Sequence, residues 1–409
     1  RLQGDPRTDR GLEMNEHHAD LLASLGASEG EIAELLAYNH NVFDLSAIGR
    51  GTVLPLPDEP FMTAWERYAE AARTQDVFTV LRERLPQLHF PIRKGISQTP
   101  AYQEATRRGA PIATVRTGRG LRVRHPEAIE LNLYLSPAGR IPVLILRDRE
   151  DFMTLARALA MRNEPRPLPP ALGAFMVSGF NNWDRIAILR QRWEATDPAE
   201  REAATWNEEL ARIIPHRELY QDRFILLSDG PYSAVPAADL GLADADWREL
   251  SLVLRRDHEC SHYFTQRLFG SMRNNLLDEL MADYAGIVGA LGSYRADWFL
   301  RFLGLENFPA WREGGRIGSY RGDPPLSDGA FRILQALVKR AAENVEDFDR
   351  ALPPGPRPLG ERALVTTALA ALRLEDLAAP DGPAHLRRTV DGLRAKVTWR
   401  EPVSPAARP

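Results

Sequence analysis

Apolar residues recur at helical spacing near the start of the chain. Leu21, Leu22 and Leu25 share one helical face, and Ser28 with Glu31 forms a capping-box pattern ahead of Ile32, Leu35 and Leu36. The pattern predicts helix over residues 15–39. The proline-rich run VLPLPDEP (53–60) breaks it, and amphipathic helices follow around Phe61–Arg73 and Val77–Leu85. Residues 1–105 therefore read as a mostly helical N-terminal region. The texture then shifts to short β-rich runs: IATVRT (112–117), LRVRH (121–125), IELNLYL (129–135) and IPVLILR (141–147). Gly118, Gly120 and the Pro137–Gly139 stretch punctuate them. These runs predict an antiparallel sheet. Helices are expected at 150–162, 182–194 and 198–213, with an apolar run at 171–179 and a buried strand at 223–229.

From Asp244 onward the pattern is helical again. Asp244 reads as an N-cap for a helix through Trp247, Leu250 and Leu254 to about Leu268, with Gly270 as its stop. Asn274 or Asn275 opens the next helix, which runs to about Leu291. A glycine- and proline-rich loop spans 311–329, a helix follows at 330–350, and PPGPRP (353–358) and APDGP (379–383) separate the C-terminal helices. The expectation is an α+β protein in three stretches: helical 1–105, sheet-bearing 106–240 and helical 241–409.

Composition narrows the function. The 409 residues carry a formal net charge of −4, with 44% hydrophobic and 26% charged positions, which suits a globular fold and argues against a dedicated nucleic-acid binder. Only Lys94, Lys339 and Lys396 are lysines among 52 basic residues, a bias expected of a GC-rich bacterial genome. Cys260 is the only cysteine, so no intramolecular disulfide forms. No apolar run approaches a membrane span, and the first 25 residues contain no signal-peptide core. The expected setting is the bacterial cytoplasm, with no membrane or nucleic-acid partner.

The chemistry concentrates in RRDHECSHYF. His258-Glu259-Cys260-Ser261-His262 is an HExxH motif inside a stretch already expected to be helical. Residues i and i+4 lie on one helix face, so two imidazoles can grip one metal ion. Glu259 beside them is placed as general base. A catalytic zinc takes a third protein ligand. The metzincin spacing would need glycine at 265 and histidine at 268, where the chain has Thr265 and Leu268. The next helix instead offers Glu279, 17 residues beyond His262, with Asp278 and Asp283 as competitors. Asp283, one turn beyond Glu279, is placed to accept a hydrogen bond from a ligand imidazole. Cys260 points away from the ligand face and reads as a small buried hydrophobe, while His17 and His18 read as solvated.

HECSH followed by DELMADYAG resembles the active-site pair of gluzincin (thermolysin-like) metallopeptidases, over roughly residues 256–286. The resemblance implies His258, His262 and Glu279 as zinc ligands, Glu259 as general base and Asp283 as the partner of a ligand histidine. It implies a zincin-like core within 106–409: a mixed or antiparallel sheet, the HExxH helix and the Glu-bearing helix. The whole chain resembles an uncharacterised bacterial family. The expected activity is zinc-dependent cleavage of a peptide or small amide. Candidates to stabilise an oxyanion or bind substrate are Tyr232, Tyr320, Arg316 and His216. An edge strand, 223–229 or one from 112–147, is expected to pair with an extended substrate. Two alternatives stand beside this: a zinc or Fe(II) enzyme acting on a small metabolite, and a non-enzymatic binding protein with a structural metal.

Overall fold

The computed structural model describes residues 6–49, 51–169, 171–272 and 275–400, with side chains from Asn15 onward. The expected helix opener Asn274 lies outside the described residues. The protein is α+β, with about 56% helix. It divides into two compact units. One joins the two ends of the chain, up to Leu56 and from Pro231 on; the other is the continuous stretch Pro57–Gly230. The divisions thus fall at 56/57 and 230/231, where the sequence suggested 105 and 240.

The first unit begins with α1 (Pro6–Ser24), α2 (Glu29–Tyr38) and β1 (Thr52–Leu54). The Ser28–Glu31 capping box forms as read. His18 is not solvated as expected: it is buried, at 1% exposure, because its Nε2 meets Asp376 Oδ1 at 2.7 Å. His17 is exposed.

The second unit runs α3 (Met62–Ala71), α4 (Val77–Arg84), α5 (Pro100–Arg107), β2 (Ile129–Ser136), β3 (Gly139–Leu146), α6 (Arg149–Ala160), β4 (Ala174–Asn181), α7 (Trp183–Ala195), α8 (Trp206–Ile213) and β5 (Gln221–Ser228). Its sheet has the order β2-β3-β5-β4. β2–β3 and β4–β5 are antiparallel, whereas β3 and β5 run parallel, with Val143 opposite Ile225. The sheet is therefore mixed. Trp65, Leu144, Phe152, Phe224 and Leu226 sit in its core. Three expectations change here. Residues 112–117 and 121–125 form no strand: Pro111 opens a short 3₁₀ turn at Ile112–Thr114, and left-handed Gly118 and Gly120 (φ 74° and 71°) prevent extension. The strand read at 223–229 is β5, an interior strand paired on both sides, so neither of its edges is open to a substrate. The same holds for β3, at 141–147.

The first unit resumes with α9 (Asp244–Phe269), α10 (Leu276–Leu291), α11 (Ala296–Leu303), α12 (Asp328–Arg350), α13 (Leu359–Ala370), α14 (Leu374–Ala378), α15 (Gly382–Arg394) and β6 (Val397–Trp399), which pairs in parallel with β1. Asp244 is the first helical residue of α9, and Ala243 occupies the cap. Gly270 ends α9 in the left-handed region (φ 69°), and Asn275 caps α10 by accepting from the amides of Leu277 and Asp278. Two glycines set how closely α10 approaches α9. A Cβ on Gly286 would lie 2.7 Å from the Leu254 carbonyl oxygen, and one on Gly289 would lie within 3.0 Å of the Asp257 carboxylate and the Arg362 guanidinium.

Candidate metal centre

α9 and α10 bring the five motif residues together. His258 and His262, one turn apart on α9, face Glu279 from the first turn of α10. One donor atom from each can be chosen so that all lie within 4.8 Å of one another, and these three residues could hold a metal ion. The two Nε2 atoms are 3.1 Å apart, Glu279 Oε1 is 3.6 Å from His262 Nε2, and Glu279 Oε2 is 3.8 Å from His258 Nε2. The side chains of His258, His262 and Glu279 are 10%, 12% and 5% exposed.

Asp283 fixes one imidazole. Its Oδ1 accepts from His258 Nδ1 at 2.8 Å and from the Tyr232 hydroxyl at 2.5 Å. Its Oδ2 accepts from Arg316 Nη2 at 2.7 Å. Burial works to raise the Asp283 pKa, but Arg316, His258 and Tyr232 outweigh it and hold it down to about 2. An ionised carboxylate only accepts, so the proton sits on His258 Nδ1 and the Nε2 lone pair turns toward His262 and Glu279. Burial opposes a charge on His258, yet Asp283 and Glu279 raise its pKa. Burial and the neighbouring His258 push His262 down to about 4. Burial raises the Glu259 pKa, and Glu279 adds to that rise. Cys260 is buried and its thiol is pushed up by burial, as expected of a packing residue.

Tyr232 and Arg316 lie elsewhere than a substrate-facing role requires. The Tyr232 hydroxyl is 2.9 Å from His258 Nδ1, on the side of the ring away from Nε2, and its residue is 5% exposed. Arg316 Nη1 donates to Tyr232 Oη at 2.9 Å and Ser233 Oγ at 3.2 Å, while Nη2 donates to Glu279 Oε2 at 2.9 Å as well as to Asp283. Both ends of the guanidinium are committed to the protein. Burial resists the Arg316 charge, and Asp283, Tyr232 and Glu279 overcome it and raise its pKa. Tyr320 is buried; burial raises the pKa of its phenol and the nearby Glu279 carboxylate adds to the rise, while its backbone carbonyl accepts from Tyr38. His216 belongs to the second unit, where it is exposed and meets Glu218 at 3.4 Å.

The chain matches the family of unknown function DUF7005 over residues 20–381. It belongs to that family. No curated protein and no solved structure matches it. The residues of the centre, from Tyr232 to Tyr320, all fall inside the matched span.

Two supporting residues escaped the sequence reading. Ser251 Oγ accepts from the Tyr232 amide at 3.0 Å, and Arg255 Nη2 donates to the Pro231 carbonyl at 2.7 Å, with its guanidinium over the Tyr232 ring. Both are buried. The signal was present: Ser251, Arg255, His258 and His262 are polar at helical spacing on one face of α9. The 231–234 turn that carries Tyr232 holds Ser233 and Ala234 in the left-handed region (φ 52° and 56°).

Proposed function

We propose that this chain is a zinc-dependent hydrolase that cleaves a peptide or amide bond, with His258, His262 and Glu279 holding the metal in a zincin-like core. The observation that carries the reading is the convergence of two imidazole nitrogens and one carboxylate, with edges of 3.1, 3.6 and 3.8 Å. Tetrahedral zinc with bonds of about 2.0–2.1 Å calls for donor–donor edges of about 3.3–3.4 Å; the two imidazole nitrogens already stand near that spacing, and the Glu279 carboxylate, whose two oxygens each approach a different histidine, must turn to bring one oxygen close to both. Three protein donors, where a structural zinc takes four, favour a catalytic ion. Bound there, zinc would polarise a carbonyl and activate water.

The chain's own residues supply the rest. Glu259 neighbours the ligand set, directly after His258 on α9, where a carboxylate can serve as general base. It accepts a proton from the attacking water and returns it to the departing nitrogen. Asp283 keeps His258 in the tautomer that exposes Nε2, and Tyr232 holds Asp283 in place. Arg316 engages Glu279 Oε2, leaving Oε1 toward His262. Tyr232 and Arg316 are thus positioning residues in this reading, and Tyr320 remains the candidate for contact with the reacting carbonyl.

Elemental analysis tests it directly. Protein purified without chelator or metal-affinity resin should carry about one zinc per chain, lost in His258→Ala and Glu279→Ala and kept in Glu259→Gln. Wild-type protein should then cleave a peptide or amide library member that Glu259→Gln leaves intact. Folded wild type that takes up no metal after soaking with zinc overturns the proposal. Iron in place of zinc redirects it to chemistry on a small metabolite.

A further inference from the structure

The second unit contains a cavity that the metal centre does not use. Its volume is about 740 Å³, and seven consecutive residues of β4, Phe175–Asn181, line it. Side chains on a strand alternate between two faces. A cavity that touches every residue in turn therefore follows the strand's edge instead of crossing one face. β4 pairs with β5 on one side only, so its outer edge presents unpaired amides and carbonyls. The facing wall comes from Gln87, from the end of α5 (Thr106, Arg107) and from the end of α6 with the turn after it (Leu159, Arg162).

That wall carries charge of one sign. Arg107 and Arg162 line the cavity and no Asp or Glu does. Both arginines are exposed, and neither guanidinium makes an ion pair or hydrogen bond with another described residue. Both act on the phenol of Tyr102, another lining residue, as does the Glu164 carboxylate, which is bonded to the Gly95 and Ser97 amides and does not line the cavity. Arg162 stands on left-handed backbone (φ 55°), as does Asn163 (φ 59°). Sterics disfavour that conformation for any residue with a Cβ, and the hydrogen bonds of Asn163 offset the strain. Its Nδ2 donates to the carbonyls of Gln87 (3.0 Å) and Phe90 (2.8 Å), and its Oδ1 accepts from Tyr102 (3.2 Å). Arg162 is thereby held at the cavity's rim. Gln87 is 7% exposed, and its Oε1 is buried without a hydrogen-bond partner.

We propose that the open edge of β4 is a docking site for an extended acidic peptide, which adds as a strand along Phe175–Ser178 and sets its carboxylates on Arg107 and Arg162. The four-residue edge Phe175–Ser178 at about 3.3 Å per residue runs roughly 13 Å, longer than a small carboxylate needs and suited to an extended chain. Main-chain pairing supplies affinity and the charges supply selection. The register shift at Gly179 (φ 68°) interrupts the ladder, which confines pairing to the residues before it. The site stands independently of the metal reading.

Fluorescence anisotropy with the full chain tests it, using a fluorescein-labelled octapeptide of alternating valine and glutamate. Saturable binding is expected, weakened at least about ten-fold in the Arg107→Glu, Arg162→Glu double variant, since one charge-assisted contact is worth that much. N-methylation of alternate peptide amides should abolish binding, and the valine–lysine counterpart should not bind. The milder Arg107→Gln, Arg162→Gln pair should give a smaller loss with the wild-type melting temperature, which separates lost contact from lost fold. No binding, equal binding by the charge-reversed variant, undiminished binding of the N-methylated peptide, or binding of an oligothymidylate but not the peptide each overturns the proposal.

Discussion

Asp283 joins three partners that lie far apart along the chain. One oxygen receives His258 and Tyr232, and the other receives Arg316. Replacing Asp283 with asparagine keeps the shape and removes the charge that orients His258. Metal affinity measured by chelator competition should fall about 10–100-fold, the usual cost of losing such a partner. Tyr232→Phe, which leaves the Asp283–His258 bond in place, should lose less. Arg316→Ala takes the guanidinium away from the buried Glu279 and Asp283 carboxylates. It should cost about 3 kcal/mol in denaturant unfolding, the low end for a broken buried pair because the Arg316 side chain keeps 23% exposure. Added zinc should restore part of that loss. The i, i+4 rule made His258, Glu259 and His262 legible, and helical spacing made Glu279 and Asp283 so. Tyr232 and Arg316 were legible as candidates, but on the wrong side of His258. Spacing along a chain does not say which ring nitrogen a distant tyrosine will meet.

Among elements, the closeness of α9 and α10 decides whether the candidate donors from two helices meet at all. Gly286 faces the Leu254 carbonyl with no room for a methyl group. Gly286→Ala should therefore destabilise the protein by about 1–3 kcal/mol, as overpacking does, and weaken metal uptake with it. Gly392 on α15 supplies the control, because a Cβ added there would meet nothing within 4 Å. Gly392→Ala should be neutral or stabilising by up to about 1 kcal/mol through helix propensity alone. Chemical denaturation of the two variants separates contact from propensity. The helices were readable because their caps and apolar faces are local. The Ser28 box, the Gly270 stop and the Asn275 cap all appear where the residues predict. Sheet order was not readable. β3 and β5 are apolar enough for strands, but their parallel pairing joins residues about eighty apart, as Val143 to Ile225 does, and no local rule encodes that.

At the scale of the whole molecule, the continuous unit has its own apolar core, from Phe61 to Leu226. A fragment spanning 57–230 should unfold cooperatively by circular dichroism when expressed alone; a gradual, non-cooperative loss of signal would show that it depends on the rest. The discontinuous unit is tied together by contacts such as His18–Asp376. Burial opposes the Asp376 charge, but the bonds from His18 and the Arg373 amide lower its pKa below the ordinary value. A lowered carboxylate pKa stabilises the fold above the unfolded value, near 4, and that contribution is lost as pH falls through the native one. Asp376→Asn should thus cost about 1.5–3 kcal/mol at neutral pH, and little once both states are protonated. Calorimetric melts of the two proteins from pH 7 downward make the comparison, the difference between them shrinking as pH falls through the native value.

The pairing of β1 with β6 has a consequence for the order in which the protein is made. Thr52 leaves the ribosome well before its partner Val397 exists. At about 5–20 residues per second, that interval is roughly 20–70 s. The inserted unit can finish folding within it, while the first two helices wait with their apolar faces uncovered. The α9–α10 pair emerges between these events, so under the proposed zinc reading a cell short of zinc would present it late in synthesis, on a nascent chain whose closing strand is still to come.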